Sequence, residues 1–109
     1  MSVTILQGTT PLLTTYVEGY DLTNAKAIHV AIVNKGRVFV FDKNRITVAY
    51  DGQDTSLMVH LTQEDTLRLR GDKAKLQVRW KGTDDEVYGT DPDYEADIVI
   101  KEVYDKAVI

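Results

Sequence analysis

The sequence contains no cysteine, two prolines and one tryptophan, and it has no long hydrophobic run among its 109 residues. The absence of cysteine excludes disulfides, thiolate metal sites and a cysteine nucleophile. No stretch approaches the roughly 20 apolar residues of a membrane-spanning helix, and no basic residues precede an apolar run at the start, so we expect no secretory signal. The composition, 43% hydrophobic and 28% charged, is typical of a folded protein, and the length predicts a single domain over residues 1–109.

Positive charge is also scarce, and the acidic surplus lies in the second half of the chain. Seventeen acidic and thirteen basic residues give a formal net charge of −4. Acids and bases balance over residues 1–54, whereas residues 55–109 hold twelve acids and eight bases. Such a surface repels phosphate backbones and anionic lipids. We therefore expect neither nucleic acid nor a membrane as a partner.

β-Branched residues dominate what is present. Valine, isoleucine and threonine make up 32 of the 109 residues, and these types suit a pleated, half-buried strand better than a helix. In the clearest strand, four apolar residues from Ala74 to Trp80 alternate with polar ones. The same period of two predicts strands over residues 11–17, 28–32, 46–50, 57–61 and 96–100. Residues 38–41 are apolar at every position, so this strand is expected either to be covered on both faces or to lie at a contact surface.

Turn signals separate these strands. Asn34-Lys35-Gly36 predicts a short hairpin, because Asn and Gly adopt positive φ at low cost. Polar stretches predict three more reversals, at residues 42–45, 51–54 and 82–86. The chain ends, residues 1–4 and 105–109, are expected to fray or to pair with a neighbour.

One segment is predicted to be helical. It begins with Thr62, a good N-cap, and carries Glu64 and Asp65 in its first turn, where the helix dipole favours acids. We expect one short helical turn near residues 62–67, with Leu67 and Leu69 tucked inward. Together these elements predict an all-β protein, an immunoglobulin-like antiparallel β-sandwich of about seven or eight strands.

Residues with catalytic or metal-binding chemistry are few and isolated. The two histidines, His29 and His60, fall in different predicted strands, and neither has a second histidine at ligand spacing. Ser2 and Ser56 are the only serines, and no nucleophile elbow, phosphate-binding loop or dinucleotide fingerprint occurs. No motif supports a triad of Ser56, a histidine and an acid. The sequence therefore predicts no catalytic, cofactor-binding or metal-binding residues, no cofactor, and a protein that is not an enzyme.

The segment from Asp84 to Asp97 is the one local oddity, with seven acids in fourteen residues and no base. Carboxylates are the ligands that calcium prefers, so a weak calcium site is one hypothesis for this stretch. The spacing does not match an EF-hand, because Ala96 occupies the glycine position and no helices are predicted to flank it. The interpretation that we favour is a solvated loop and a charged strand face that protects a sheet edge.

Aromatic residues bear on a second class of function, carbohydrate binding. Trp80 ends the apolar side of an amphipathic strand, which predicts a core position rather than a sugar platform. Core, interface and ligand roles stay open for five tyrosines: Tyr16, Tyr20, Tyr88, Tyr94 and Tyr104. A carbohydrate-binding or host-surface adhesion module is therefore the alternative, and it requires aromatic rings exposed on one face or around a loop.

Four segments, taken in order, resemble a known family. They are Leu6-Gln7-Gly8-Thr9-Thr10-Pro11-Leu12, Gly19-Tyr20-Asp21-Leu22-Thr23, Met58-Val59-His60-Leu61-Thr62-Gln63-Glu64-Asp65-Thr66-Leu67 and Ala74-Lys75-Leu76-Gln77-Val78-Arg79-Trp80. This order resembles small β-domain structural proteins of Gram-positive tailed phages and prophages. It is similar in particular to the N-terminal domain of upper baseplate proteins. The resemblance spans residues 5–103 and consists of strand and turn signatures.

The resemblance implies a non-enzymatic virion structural or assembly protein with an immunoglobulin-like sandwich. Such proteins dock onto other virion proteins, often in symmetric assemblies, so the implied partners are other phage structural proteins and further copies of this chain in a homo-oligomer. The implied location is the virion, or the host cytoplasm during assembly. Because the sequence ends at Ile109, before the helical and receptor-side portion of those longer proteins, a baseplate, tail or head accessory role stays open. A small enzyme or enzyme inhibitor is the remaining alternative, and an enzyme would need a cleft with perturbed ionisable groups.

Overall fold

The computed structural model describes residues 3–90 and 98–109, and these hold nine β-strands, one short helix and a 3-10 turn. The strands are β1 (Val3–Leu6), β2 (Leu12–Glu18), β3 (Ala27–Asn34), β4 (Arg37–Phe41), β5 (Ile46–Tyr50), β6 (Asp54–His60), β7 (Lys73–Lys81), β8 (Val87–Gly89) and β9 (Ile98–Lys101). The helix α1 spans Gln63–Leu67 and the 3-10 turn spans Lys43–Arg45. Each of the seven predicted strands has a counterpart here, whereas β1 and β8 were not predicted.

The strands form two sheets that pack face to face. The larger sheet has the order β1-β9-β7-β3-β4, with β8 paired to β7, and the smaller sheet has the order β2-β6-β5. The smaller sheet matches strands B, E and D of an immunoglobulin domain, and β9-β7-β3-β4 matches G, F, C and C′. The predicted immunoglobulin-like sandwich with one short helical turn is confirmed. One pairing, of β1 with β9, is parallel.

Alternating side chains build the core, as the sequence pattern predicts. Along β7 the four apolar residues Ala74, Leu76, Val78 and Trp80 are all buried, and polar residues between them face outward. The same alternation occurs in β3, the strand beside β7, and in β6 of the facing sheet. Because the chain has no cysteine, burial of these apolar faces replaces the inter-sheet disulfide of antibody domains. The core position predicted for Trp80 is confirmed.

The hairpin between β3 and β4 is a two-residue turn. Lys35 and Gly36 both have positive φ, 51° and 77°, as a type I′ turn requires. Asn34 is the last residue of β3 rather than a turn residue, and its side chain is buried. The prediction of a short hairpin is confirmed, but the residue that adopts positive φ beside Gly36 is Lys35.

A capping box defines the start of the short helix α1. The Thr62 hydroxyl accepts a hydrogen bond from the Asp65 backbone N–H at 3.1 Å, and the Asp65 carboxylate accepts one from the Thr62 N–H at 2.9 Å. Thr66 is the buried residue of the helix. Leu69 is buried just beyond it, as predicted, whereas Leu67 is only half-buried.

We expect Asp65→Ala to lower the free energy of unfolding by about 1–2 kcal/mol. The carboxylate caps α1 and also lies 2.7 Å from the Arg45 guanidinium. Burial alone raises the pKa of Asp65, but the hydrogen bonds from Thr62 and Arg45 outweigh it and leave the pKa below its ordinary value. A lowered pKa in the folded state means that this stabilisation is present above about pH 4 and is lost as the pH falls through the folded pKa.

Thermal unfolding of the wild type and Asp65→Ala between pH 3 and pH 7 measures this effect. The variant should melt about 4–15 °C lower near pH 7, and the difference should shrink below pH 4. Asp72→Asn, at an exposed acid beyond the helix, is the control and should melt like the wild type. A difference between Asp65→Ala and wild type that grows as the pH falls would contradict the assignment.

Candidate functional site

The outer edge of the larger sheet exposes apolar side chains. β4 is the last strand in its sheet order, so among the described residues one backbone edge of β4 has no strand beside it. Val38 and Val40 are 59% and 56% exposed on the outer face, where they pair with Val33 and Ala31 of β3. These four residues are called the β4 patch. Of the two expectations for residues 38–41, coverage on both faces is wrong within the described part of the chain, and a contact surface stays open.

Basic side chains flank the β4 patch at both ends. The Arg37 guanidinium lies 5.1 Å from the centre of the Phe39 ring and donates to the Arg68 carbonyl oxygen. At the other end, the Arg45 guanidinium lies 5.2 Å from the Phe41 ring centre. Lys43 donates to the Ala25 carbonyl oxygen at 2.7 Å. The strand therefore offers apolar side chains in its middle and positive charge at its ends.

A second surface, at the loops that join β2 to β3 and β7 to β8, gathers three aromatic rings. The ring centres of Tyr20 and Trp80 lie 5.3 Å apart, those of Trp80 and Tyr88 lie 5.8 Å apart, and those of Tyr20 and Tyr88 lie 6.0 Å apart. Trp80 is buried, whereas Tyr20 and Tyr88 are 48% and 37% exposed. These rings line an open cleft of about 200 Å³ together with Asp21 and Asp84. It is called the aromatic cleft.

The carboxylates of the aromatic cleft are held in place by hydrogen bonds. Asp84 accepts from the Tyr88 hydroxyl at 2.7 Å and from the Glu86 N–H at 3.0 Å. The bond from Tyr88 is the main reason that the pKa of Asp84 lies below its ordinary value, and it raises the pKa of Tyr88. Asp21 accepts from the hydroxyl and the N–H of Thr23, which lower its pKa as well. Both acids are therefore charged and the Tyr88 phenol is neutral near pH 7.

A buried threonine positions the loop that carries Tyr20. Thr55 is fully buried, and its hydroxyl donates to the Tyr20 carbonyl oxygen at 2.6 Å. The Thr55 hydroxyl oxygen in turn accepts a hydrogen bond from the Leu22 N–H at 3.1 Å. Leu22 is itself buried in the core. The exposed Tyr20 ring thus sits on a backbone that the buried Thr55 hydroxyl anchors at Tyr20 and at Leu22.

No protein-family model matches the sequence, and no curated protein matches it either. Among solved structures, the chain is similar to murine CRIg, with 13% sequence identity over 94% of this chain and 92% of that chain and a TM-score of 0.40. A likeness at this level carries no argument about function. The fold assignment follows from the strand order of the two sheets.

The histidines and the serine that were considered for catalysis lie far from one another. His29 is exposed on the outer face of the larger sheet, and His60 is exposed at the end of β6 in the smaller sheet. Ser56 shares a strand face with His60, but His60 lies four positions further along the strand, about 13 Å away, which is too far for a hydroxyl–imidazole hydrogen bond. Within residues 3–90 and 98–109, no three metal-ligating side chains cluster. No helix in those ranges is long and apolar enough to cross a bilayer.

The acidic stretch is only partly described. Asp85 lies 2.5 Å from the Lys26 ammonium, and Asp84 is engaged by Tyr88. The other acids of the calcium hypothesis, Asp91, Asp93, Glu95 and Asp97, lie outside the described residues, as does Tyr94. Of the remaining tyrosines, Tyr16 and Tyr104 are exposed away from the aromatic cleft.

Sequence reasoning did not find the aromatic cleft, although one signal for it was present. The predicted turn at residues 82–86 closes a hairpin in which Trp80 pairs with Tyr88. Directly paired residues of an antiparallel hairpin point to the same face, so contact between these two rings could have been expected. Tyr20 lies in a loop far from this hairpin in the sequence, so no local pattern indicates that its ring contacts the other two.

Proposed function

We propose that the chain is a non-enzymatic structural or assembly protein of a tailed phage or prophage, a baseplate, tail or head accessory protein that acts by docking onto other virion proteins. It would work in the virion, or in the host cytoplasm during assembly. The observation that carries the docking role is the β4 patch, an exposed apolar surface on a sheet edge. The phage setting is supported by the strand and turn signatures between residues 5 and 103.

The chemistry of β4 favours an edge strand of another virion protein as its occupant. An unpaired strand edge offers backbone N–H and C=O groups to an incoming strand, and alternate side chains give that contact its specificity. Val38 and Val40 supply apolar contacts, and Arg37 and Lys43, one near each end of the strand, favour a strand flanked by carboxylates. A second copy is a poorer occupant of this edge. Antiparallel pairing that sets Val38 opposite Val40 of the other copy also brings the hairpin turn of each copy, with Lys35, towards the 3-10 turn of the other, with Lys43.

The double variant Val38→Lys with Val40→Lys is expected to weaken binding to the partner virion protein by about tenfold or more, because it places two ammonium groups in the apolar part of the contact. The matched control is Thr47→Lys with Ala49→Lys, two exposed alternate positions on β5, the edge strand of the other sheet. Binding is measured with purified virion proteins encoded next to this gene. The control should bind like the wild type.

Absence of binding to every neighbouring gene product, or equal weakening by both double variants, would contradict docking through β4. Neighbouring genes that encode no portal, capsid, tail or tape-measure protein would contradict the phage setting. Light scattering over a range of concentrations tests the homo-oligomer that the resemblance implies. A contact between copies that survives Val38→Lys with Val40→Lys would use a different face.

A carbohydrate-binding or host-surface adhesion module is the second candidate, and one observation favours it. Tyr20 and Tyr88 expose their rings around a loop, as such a module requires. Its cleft of about 200 Å³ is smaller than the roughly 300–1,000 Å³ of most small-molecule sites. Titration with N-acetylglucosamine and with cell-wall oligosaccharides tests it, and binding to them that Tyr20→Ala abolishes would support it.

A further inference from the structure

The aromatic cleft combines π-faces with negative charge. Aromatic rings attract cations through the negative potential of their faces, most strongly when the cation approaches within about 6 Å of the ring centre. The three rings contact one another, with Trp80 stacked on Tyr88 at 21° and Tyr20 at 61° to Trp80. All three also line the same cleft, so a single bound group can contact more than one of them. The Tyr88 hydroxyl donates a hydrogen bond to the Asp84 carboxylate, which increases the electron density of the Tyr88 ring.

Charges around the aromatic cleft reinforce this potential. Asp21 and Asp84 line the cleft itself. The nearest ammonium groups, those of Lys26 and Lys81, lie 2.5 Å and 3.9 Å from Asp85, and neither residue lines the cleft. Both ammonium groups pair with Asp85, and Lys26 also acts on the Asp84 carboxylate from outside the lining, so the cleft itself is lined by two carboxylates and by no ammonium group. A neutral sugar gains little from such a field, whereas an organic cation gains from both the rings and the carboxylates.

The size of the cleft and the hydration of the cation restrict the class of ligand further. A cleft of about 200 Å³ suits a small head group better than an extended oligosaccharide. A primary ammonium is strongly hydrated and seeks several hydrogen-bond acceptors. A quaternary ammonium has no N–H to satisfy and spreads its charge over its alkyl groups, which is the chemistry that clustered aromatic side chains recognise.

We propose that the aromatic cleft of Tyr20, Trp80 and Tyr88, with Asp21 and Asp84, binds the quaternary ammonium head group of a small organic cation. The rings contact the methyl groups, and the two carboxylates balance the charge. Binding at this cleft is independent of docking through β4, because the two surfaces share no residue. The aromatic cleft could thus take a ligand while β4 is occupied.

Choline chloride is the first probe, and the indole N–H signal of Trp80 in a nitrogen–proton correlation spectrum is the readout. Trp80 is the only tryptophan, so this signal is assigned without further work. We expect a saturable shift with a dissociation constant on the order of 1 mM. 3,3-Dimethyl-1-butanol, which has the shape of choline without its charge, should give no saturable shift. Sodium chloride at equal ionic strength should also give none.

Three variants locate the binding. Tyr20→Ala removes an exposed ring and should weaken choline binding about tenfold. Asp84→Asn keeps an acceptor for the Tyr88 hydroxyl but removes the charge, and it should weaken binding several-fold. Tyr16→Ala, at a tyrosine 61% exposed on β2, is the control and should bind choline like the wild type. All three positions are on the surface, and a melting curve for each variant verifies its fold.

Two further ligands separate the sources of the head group. Phosphocholine represents a polymer or lipid head group, and Nε-trimethyllysine represents a modified protein side chain. If the wild type binds either ligand and Tyr20→Ala does not, the result supports the proposal and identifies the source of the head group. The proposal is overturned if choline gives no saturable shift up to 100 mM, if the neutral analogue binds equally well, or if Tyr20→Ala and Asp84→Asn bind choline like the wild type. N-acetylglucosamine binding in the absence of choline binding would also overturn it.

Discussion

Val78→Asp is expected to unfold the protein. Val78 is fully buried in the middle of β7 and pairs with the equally buried Val30 of β3. Its backbone N–H donates to the Thr90 hydroxyl at 3.0 Å, and its carbonyl oxygen accepts from the Thr90 N–H at 2.9 Å. An aspartate here would place a carboxylate with no partner between the two sheets. That costs several kcal/mol, a large part of the roughly 5–15 kcal/mol by which a domain of this size is stable.

Circular dichroism and thermal unfolding measure the outcome. The Val78→Asp protein should lack a cooperative melting transition at 25 °C and above. Lys75→Asp introduces the same side chain on the outer face of the same strand, and it should change the melting temperature by only a few degrees. If Val78→Asp melted like the wild type, the assignment of inward and outward faces along β7 would be wrong.

Asn34→Ala is expected to lower the free energy of unfolding by about 3 kcal/mol or more. The Asn34 side chain is 1% exposed. Its amide donates to the carbonyl oxygens of Arg70 and Lys73, at 2.8 Å and 2.9 Å, and its oxygen accepts from the Arg70 N–H at 2.8 Å. Alanine would leave these three backbone groups without their partner, and each costs about 1–3 kcal/mol if it stays buried.

A drop in melting temperature of about 10–20 °C corresponds to this loss in a chain of about 100 residues. Asn44→Ala is the matched control, because Asn44 is exposed and takes part in its turn through its backbone N–H. Asn34→Asp should also destabilise, since a carboxylate cannot donate to the two carbonyl oxygens. A melting temperature of Asn34→Ala within about 2 °C of the wild type would show that water replaces the amide.

Local patterns predicted most of the strands correctly because burial in a sandwich follows a period of two. The alternation over residues 28–32, 57–61 and 74–80 reappears as buried and exposed positions in β3, β6 and β7. β1 escaped prediction because its partner, β9, lies more than ninety residues away, and parallel pairing leaves no hairpin signal between them. β8 escaped because it has three residues and lies in a strongly acidic stretch.

Turn chemistry was informative about backbone direction but not about side-chain roles. The sequence predicts a turn at Asn34, and a hairpin does follow it. The contacts of its amide to Arg70 and Lys73, however, depend on where α1 and β7 bring the chain back. Thr55 and Thr66 are similar cases, since each is a buried hydroxyl that ties distant loops together. Nothing in their neighbouring residues distinguishes them from the other threonines.

The composition of the two candidate sites depended on tertiary structure more than the strands and turns did. The apolar run at residues 38–41 suggested a contact surface, but only the position of β4 at the end of its sheet exposed Val38 and Val40. The aromatic cleft needed the loop after β2 to approach the β7–β8 hairpin, which places Tyr20 5.3 Å from Trp80. Sixty residues separate these two rings in the chain.

By itself the sequence determined the β-sandwich class, the faces of the central strands, the hairpin before Arg37 and the capped turn at Thr62. These features depend on neighbours within a few residues, through the period of the strand, backbone φ and hydrogen bonds of the first helical turn. Only the tertiary structure decided which edge stays exposed, which polar side chains are buried and which aromatic rings meet. Those outcomes depend on contacts between residues far apart in the chain, and local patterns carry no record of such contacts.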